Sequence, residues 1–247
     1  MENLNDLSRI SQIRAALSAK SGLRRLYEEV YQHYAACLTR CPRDGLAVEL
    51  GSGGGFAKNV IPELITSDVL PYTGVDIVAD ATKMPFLDRS VRFFGMLNVF
   101  HHIPDAAAFL SEAVRCLAPN GRAFIADQNR GWISSPILRY FHSEPYAPAS
   151  KTWQFASTGP LNGANGALPW MVFARDRSRF EREFPNLKLL QYKPTTPLRY
   201  WLSGGLKRWS LLPESAWKYA TTFDKLLLKV SPHFGSFVEI ELLKSDG

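Results

Sequence analysis

The sequence predicts an α/β fold: a doubly wound, seven-stranded, mostly parallel sheet with helices before it and a cap inserted into it. From residue 45 to residue 128, short apolar segments alternate with helix-like ones, joined by short connections. This alternation is typical of a parallel sheet covered by helices on both faces. Polar residues also follow the predicted strands directly, and ligands of such sheets bind outside the carboxyl ends of the strands.

The first half of the chain supplies the predicted cofactor-binding half of the sheet. An amphipathic helix is predicted at residues 22–39, because Leu26, Val30 and Tyr34 recur every four positions. Five strands are predicted at residues 45–50, 64–67, 74–78, 93–100 and 122–127. Helices are predicted between them at residues 57–60 and 104–117, the second opened by Pro104 and Asp105.

The second half changes character near residue 130. Residues 131–247 hold all six tryptophans and 15 Lys and Arg against 9 Asp and Glu. Helices are predicted in this half at residues 176–184 and 214–229. Strands are predicted at residues 187–192 and 236–243. We therefore expect a single domain over residues 1–247, with N-terminal helices in residues 1–44 and a cofactor-binding half in residues 45–128. Residues 129–175 and 193–232 are expected to form the cap.

Composition restricts the class of protein. The three cysteines are sparse and odd in number, which favours a reducing compartment over a disulfide scaffold. The N-terminal segment MENLNDLSRI lacks the apolar core of a secretory signal, and no apolar run is long enough to span a membrane. We therefore expect a cytoplasmic protein.

The segment AVELGSGGGF, residues 47–56, places a glycine-rich turn after the first predicted strand. Glycine loses the most conformational freedom on folding, so this cluster indicates that a ligand approaches the backbone closely. A phosphate-binding P-loop is excluded, because Lys58 is followed by Asn59 rather than by Ser or Thr. A dinucleotide site is disfavoured, because Phe56 and Lys58 occupy the two positions where its third glycine belongs.

The glycine turn and the segments after it resemble the class I S-adenosylmethionine-dependent methyltransferases. The turn reads E-x-G-x-G-x-G from Glu49 to Gly55, and VADATKMPFLDRSV, residues 78–91, resembles the adenine-binding segment of that family. Residues 98–127 resemble its ubiquinone/menaquinone-type subgroup. The resemblance covers residues 45–128 and implies a Rossmann-like methyltransferase fold. It also implies a transferase that uses S-adenosylmethionine and releases S-adenosylhomocysteine.

The resemblance also implies which residues contact the cofactor. In this family the glycine loop bends under the amino acid part of the cofactor, and an acid at the place of Glu49 lies near its ammonium. Asp68, or alternatively Asp76, would accept the ribose hydroxyls, and Asp80 would bond the adenine amino group. The implied cofactor site consists of Glu49, Gly51, Ser52, Gly53, Gly55, Asp68, Asp76, Asp80, Ala81 and Asn98.

Methyl transfer to oxygen or nitrogen requires the acceptor atom to lose a proton, usually to a histidine or a carboxylate. His101 follows the fourth predicted strand, and His142 and Glu144 lie in the cap segment FHSEP. These three are the predicted catalytic residues, and the alternatives are His102, which is less favoured than its neighbour His101, His233 and Asp127. No metal site is expected; ligation by His101, His142 and Glu144 is the disfavoured alternative.

The acceptor is predicted to be a hydroxyl on a small molecule, a saccharide or a lipid-linked saccharide. The fourth predicted strand is followed by NVFHH rather than by the [DN]-P-P-Y segment of enzymes that methylate bases, so a nucleic-acid partner is disfavoured. The aromatic and basic segment at residues 199–212 either packs on the core or contacts the inner membrane face. The alternatives are N- or C-directed methylation, and an inactive scaffold that keeps the fold.

Overall fold

The computed structural model describes residues 9–54, 56–159 and 162–245. Its centre is a seven-stranded sheet with the strand order β3-β2-β1-β4-β5-β7-β6. β7 is antiparallel to both of its neighbours, and the other pairs are parallel. The strands are β1 (Leu46–Leu50), β2 (Ile65–Asp68), β3 (Ile77–Val78), β4 (Val91–Leu97), β5 (Leu117–Gln128), β6 (Leu187–Thr195) and β7 (Phe237–Lys244). The predicted fold class is confirmed.

Helices cover both faces of the sheet and its carboxyl edge. The α-helices are α1 (Arg9–Ala19), α2 (Ser21–Leu38), α3 (Ala106–Cys116), α4 (Ser134–Tyr140), α5 (Leu168–Trp170), α6 (Arg177–Glu183), α7 (Arg199–Leu202) and α8 (Trp217–Val230). Shorter 3-10 turns lie at Ala57–Asn59, Phe100–His102, Glu214–Ala216 and Pro232–Phe234, and α5 continues into a π-helical turn at Met171–Arg175. Within the described part of the chain, we find no helix with the length and apolar character that crossing a membrane requires.

The two faces of the sheet bury separate cores. On one face, the ring of Tyr34 from α2 packs on the strands, where it contacts Phe93 and Phe124. Gly95 in β4 permits this approach, because a Cβ atom there would lie only 2.7 Å from the Tyr34 ring. On the other face, α3 packs its apolar stripe on the sheet, including Phe109, which contacts Phe100 edge to face.

The predicted elements differ from the observed ones mainly at strand ends. The third strand shrinks from residues 74–78 to Ile77–Val78. Asp76 there turns its carboxylate to the backbone N–H and the hydroxyl of Thr66, both at 2.8 Å. The fourth strand ends at Leu97 instead of residue 100, because Asn98 adopts a left-handed conformation with φ +55°.

One end of the predicted cap segment at residues 129–175 belongs to the main core. Its helices α4 and α5 lie in a segment for which the sequence predicted no helix. Leu168, Met171 and Val172 are fully buried in the core that contains α3. Apolar periodicity over so few residues is too short to predict a helix, so only the packed structure reveals these turns.

Candidate active site

A cavity of about 220 Å³ opens at the carboxyl edge of the sheet, where the strand order reverses between β1 and β4. Its floor comes from the ends of β1, β2, β4 and β5, and α1, α2 and α7 contribute to its walls. The predicted site residues that line it are Glu49, Gly51, Ser52, Gly53, Asp68, Asp80, Ala81, Asn98, His101, His142 and Glu144. Gly55 lies outside the described residues.

Two glycines of the loop are required for different reasons. Both adopt a left-handed backbone, with φ +67° at Gly51 and +49° at Gly53. A Cβ atom at Gly51 would overlap the side chain of Val99, whereas one at Gly53 would meet no atom within 4 Å. Gly51 therefore allows the loop to pack on the protein, and Gly53 keeps its face toward the cavity clear.

Asp68, at the end of β2, is hydrogen-bonded to the glycine loop. Its Oδ2 accepts the backbone N–H of Gly53 at 3.0 Å, and its Oδ1 accepts that of Leu70 at 3.2 Å. Burial raises the pKa of Asp68, and these backbone donors oppose the rise. Each carboxylate oxygen carries two lone pairs, so Asp68 retains acceptor capacity for a pair of ligand hydroxyls.

Glu49 is 2% exposed at the end of β1. Burial raises its pKa to about 8, and the charge of Asp68 adds to the rise. Its Oε2 is buried and has no hydrogen-bond partner among the described residues. A buried acid with an unpaired oxygen at a cavity wall is suited to pair with a cationic group of a ligand, because such a partner would offset the desolvation of the carboxylate.

Asp76, the alternative to Asp68 for the ribose hydroxyls, does not line the cavity. Besides Thr66, its Oδ2 contacts Nζ of Lys58 at 2.6 Å, and this hydrogen bond lowers the pKa of Asp76. Asp76 therefore ties the loop before β3 to β2. Asp80, by contrast, lines the cavity, and its Oδ1 accepts the backbone N–H and the hydroxyl of Thr82 at 2.7 and 2.8 Å.

The opposite wall holds a histidine cluster, defined here as His101, His102, His142 and Glu144. The 3-10 turn after Asn98 places His101 over the end of β5, where its Nδ1 lies 2.5 Å from Oδ1 of Asp127. Its Nε2 lies 3.2 Å from Oε2 of Glu144. Burial alone would lower the pKa of His101, but the charge and hydrogen bond of Asp127, together with Glu144, raise it to about 10.

The other histidines of the cluster surround the same carboxylate. The Nδ1 atom of His102 lies 3.1 Å from the carbonyl oxygen of Gly163, and its Nε2 lies 3.6 Å from Oε1 of Glu144. Burial and the charge of His101 lower the pKa of His102 to about 4. Burial would raise the pKa of Glu144, but its hydrogen bond to His101 and the three histidine charges hold it well below its ordinary value.

His142 contacts Glu144 from within the cap. Its Nδ1 accepts the backbone N–H of Glu144 at 3.3 Å and lies 3.7 Å from Oε2 of that residue. Burial lowers the pKa of His142. His142 is therefore placed to fix the Glu144 backbone and to support its carboxylate.

Sequence reasoning missed several residues of this wall. Gln128 and Trp201 line the cavity beside His102, which the sequence favoured less than His101, and Asp127, considered only as an alternative, is buried as the partner of His101. The sequence signals that could have found them are the two adjacent histidines after the fourth strand and the polar pair Asp127-Gln128 at the end of the fifth strand. His233, the other alternative base, lies outside the cavity and stacks against Trp132 at 5.3 Å between ring centroids.

Comparisons with known proteins agree with this architecture. Residues 48–125 match a family model described as a methyltransferase domain. The complex between the Haloferax volcanii Trm112 methyltransferase activator and a protein described as a methyltransferase contains a similar fold. That match has 16% identity, covers 94% of this chain and 97% of the other, and has a TM-score of 0.54.

Two further solved structures are similar at a lower level. Geranyl diphosphate C-methyltransferase from Streptomyces coelicolor, crystallised with Mg²⁺, geranyl diphosphate and S-adenosyl-L-homocysteine, has 17% identity, 90% and 81% coverage and a TM-score of 0.48. Phosphoethanolamine N-methyltransferase 2 from Haemonchus contortus, crystallised with S-adenosyl-L-methionine, has 14% identity, 87% and 53% coverage and a TM-score of 0.47. No curated protein matches the sequence.

Proposed function

Because residues 48–125 match a family model described as a methyltransferase domain, we propose that this chain is a class I S-adenosylmethionine-dependent methyltransferase and that it methylates a hydroxyl group of a small-molecule acceptor. One observation carries the proposal: a single cavity joins the glycine loop and Asp68 at one end to the histidine cluster at the other. A cofactor at the first end and a hydroxyl at the second would face each other inside that cavity.

The residues at the first end fit the cofactor. The unpaired Oε2 of Glu49 suits the cofactor's ammonium, and the clear face of Gly53 leaves room for its amino acid part. Asp68 holds the acceptor capacity that two ribose hydroxyls need. When bound, S-adenosylmethionine supplies an electrophilic methyl group on a sulfonium; the protein aligns the acceptor with it and excludes water.

The residues at the second end favour an oxygen nucleophile. A hydroxyl must lose its proton before or during attack, and the cluster offers the carboxylate of Glu144, beside His101, for that step. We assign His101 and Glu144 as the groups that contact the acceptor hydroxyl, with Asp127 orienting His101 from behind. His142 is a positioning residue, because its contact is with the backbone and carboxylate of Glu144.

The test is methyl transfer from radiolabelled S-adenosylmethionine to a panel of hydroxylated, aminated and carbon-acidic small molecules. We expect labelled product with the methyl group on oxygen, located by mass spectrometry. His101→Gln should lower turnover by a factor of about 10² or more. It should leave the Kd for S-adenosylmethionine within about threefold, because the cofactor's own contacts lie at the other end of the cavity. His233→Gln, outside the cavity, is the matched control.

Two outcomes would overturn the proposal. A methyl group found on nitrogen or carbon of the preferred acceptor would replace the hydroxyl assignment with N- or C-directed transfer. Binding of S-adenosylmethionine without turnover on any acceptor would favour the alternative that the protein is an inactive scaffold with a methyltransferase fold.

We also propose that the protein contacts an anionic membrane surface. Helix α8 exposes more than half of each of four apolar side chains spaced three or four residues apart, which places them on one helix face: Tyr219, Phe223, Leu226 and Val230. Lys218, Lys225 and Lys229 lie on the same helix. An apolar stripe with flanking lysines is typical of helices that lie in a membrane interface.

A further inference from the structure

Three side-chain ligand atoms converge on one point of the cavity wall. They are one ring nitrogen of His101, one ring nitrogen of His102 and a carboxylate oxygen of Glu144, and all lie within 4.8 Å of one another. The Nε2 atom of His101 is 3.2 Å from Oε2 of Glu144, and that of His102 is 3.6 Å from Oε1. A metal ion bonded to nitrogen and oxygen at about 2.1 Å sets neighbouring ligand atoms about 3.0 to 3.4 Å apart. The two nitrogen–oxygen separations, 3.2 Å to Oε2 and 3.6 Å to Oε1 of Glu144, are close to these values.

Both histidines are oriented as metal ligands are. A ligating histidine donates its other ring N–H to a carboxylate or a backbone carbonyl, which fixes the tautomer and the ring direction. Here Nδ1 of His101 faces Asp127 at 2.5 Å, and Nδ1 of His102 faces the carbonyl oxygen of Gly163 at 3.1 Å. With each ring proton on Nδ1, the lone pairs of the two Nε2 atoms would face an ion held beside Glu144.

Gln128 adds an independent observation at the same point. Its Nε2 lies 3.4 Å from both Nε2 of His101 and Oε2 of Glu144, while its buried Oε1 has no hydrogen-bond partner. The two ends of an amide are interchanged by a half-turn of the side chain. That half-turn brings the unpaired oxygen to the cluster, where it suits a cation or a water bound to one.

We propose that His101, His102 and Glu144 bind one divalent first-row transition-metal ion in this cavity. Two imidazoles and one carboxylate form a donor set that suits such ions, and three protein ligands leave positions open toward the cavity. This assignment departs from the sequence expectation of no metal site. It also replaces His142 with His102 in the alternative trio, because Nδ1 of His142 is engaged by the N–H of Glu144.

The ion's role rests on the proposed function, although its binding does not. A hydroxyl coordinated to the ion loses its proton to solvent more readily than a free one. The resulting oxygen forms the new C–O bond while the C–S bond of the sulfonium breaks, and the electron pair stays on sulfur. The products are the methyl ether, S-adenosylhomocysteine and the released proton.

The experiment measures metal binding without any acceptor. The purified full chain is treated with a chelator, dialysed and titrated with Co²⁺ and with Zn²⁺, followed by visible absorption and calorimetry. We expect one ion per chain and a Co²⁺ absorption band in the visible range. His102→Gln should weaken binding by at least 100-fold, and Asp127→Asn by 10- to 100-fold through the orientation of His101.

His233→Gln, outside the cavity, is the matched control and should retain the wild-type metal affinity within about threefold. Retained binding of S-adenosylmethionine checks that each variant is folded. Absence of stoichiometric binding by the wild type, or equal binding by folded His102→Gln, overturns the metal site. Full O-methylation in the presence of chelator overturns the metal's role and leaves the proposed function standing. Stoichiometric metal binding without O-methylation overturns the proposed function and leaves the metal site standing.

Discussion

The Oδ2 atom of Asp68 accepts a hydrogen bond from the backbone N–H of Gly53 at 3.0 Å. This bond ties the end of β2 to the glycine loop after β1, so the two features that the sequence placed 15 residues apart act as one wall of the cavity. A change at either residue is therefore expected to affect the same ligand.

Asp68→Asn should weaken S-adenosylmethionine binding by 10- to 100-fold, equivalent to about 1.5–3 kcal/mol for hydrogen bonds to a charged group. The substitution places an amide donor where the carboxylate accepts. Calorimetric titration measures the effect. The matched control is Asp76→Asn, outside the cavity, for which we expect unchanged affinity once the folded fraction is accounted for. Equal losses in the two variants would contradict the assignment of Asp68 to the ribose.

Gly53→Ala should weaken S-adenosylmethionine binding and cost about 1 kcal/mol of stability, because L-residues are strained at the observed φ of +49°. The added methyl group projects into the cavity, where it meets no protein atom and would meet the cofactor. Gly74→Ala is the control, since Gly74 also has a positive φ, +92°, but does not line the cavity. The Gly74→Ala control should lose stability and keep its affinity for S-adenosylmethionine. Unchanged affinity in Gly53→Ala would show that Gly53 is not part of the cofactor site.

Stability should fall as pH rises from about 5 to 8, and Glu49 should cause much of the fall. Its pKa is raised from 4.5 to about 8 by burial, so the folded protein holds a proton that the unfolded chain has released. The stabilisation is complete below the unfolded pKa and is lost as pH approaches the folded one, by an amount on the order of a few kcal/mol.

Thermal melts across this pH range test the role of Glu49. Glu49→Gln keeps the neutral form at every pH and should flatten the dependence. In the wild type, S-adenosylmethionine binding at pH 7 should release a proton, because the cofactor's ammonium favours the ionised carboxylate. The release is read from calorimetry in buffers of different ionisation enthalpy. An equal dependence of stability on pH in the wild type and in Glu49→Gln would show that other groups are responsible.

Binding to vesicles of anionic phospholipid should occur and should decrease with added salt, since screening weakens the attraction of the α8 lysines. The double variant Phe223→Asp and Leu226→Asp should abolish co-sedimentation, because it places two charges on the exposed apolar stripe. Leu87→Asp, at an exposed apolar residue on a different part of the surface, is the control. Wild-type protein that stays in the supernatant at low salt would rule out the membrane proposal.

Much of the fold was predictable because its signals are local. The helix at residues 22–39 is observed as Ser21–Leu38, and the strand at residues 236–243 as Phe237–Lys244. The shortening of the third strand was not predictable, since it depends on Asp76 bonding to Thr66, ten residues away. The buried helical turn at Leu168–Arg175 was not predicted either. It is too short to show an apolar periodicity, and the residues it packs against come from distant segments.

The sequence by itself determined the order of elements, the glycine loop after β1 and the polar residues at strand ends, because these depend on backbone preference and on hydrophobic periodicity along the chain. Only the tertiary structure decided that β7 runs antiparallel between β5 and β6. It alone excluded Asp76 from the cavity, and it alone joined His101 to Asp127 and to Glu144 of the cap. Those contacts join side chains 26 and 43 residues apart, and their geometry follows from how the packed elements meet rather than from spacing in the sequence.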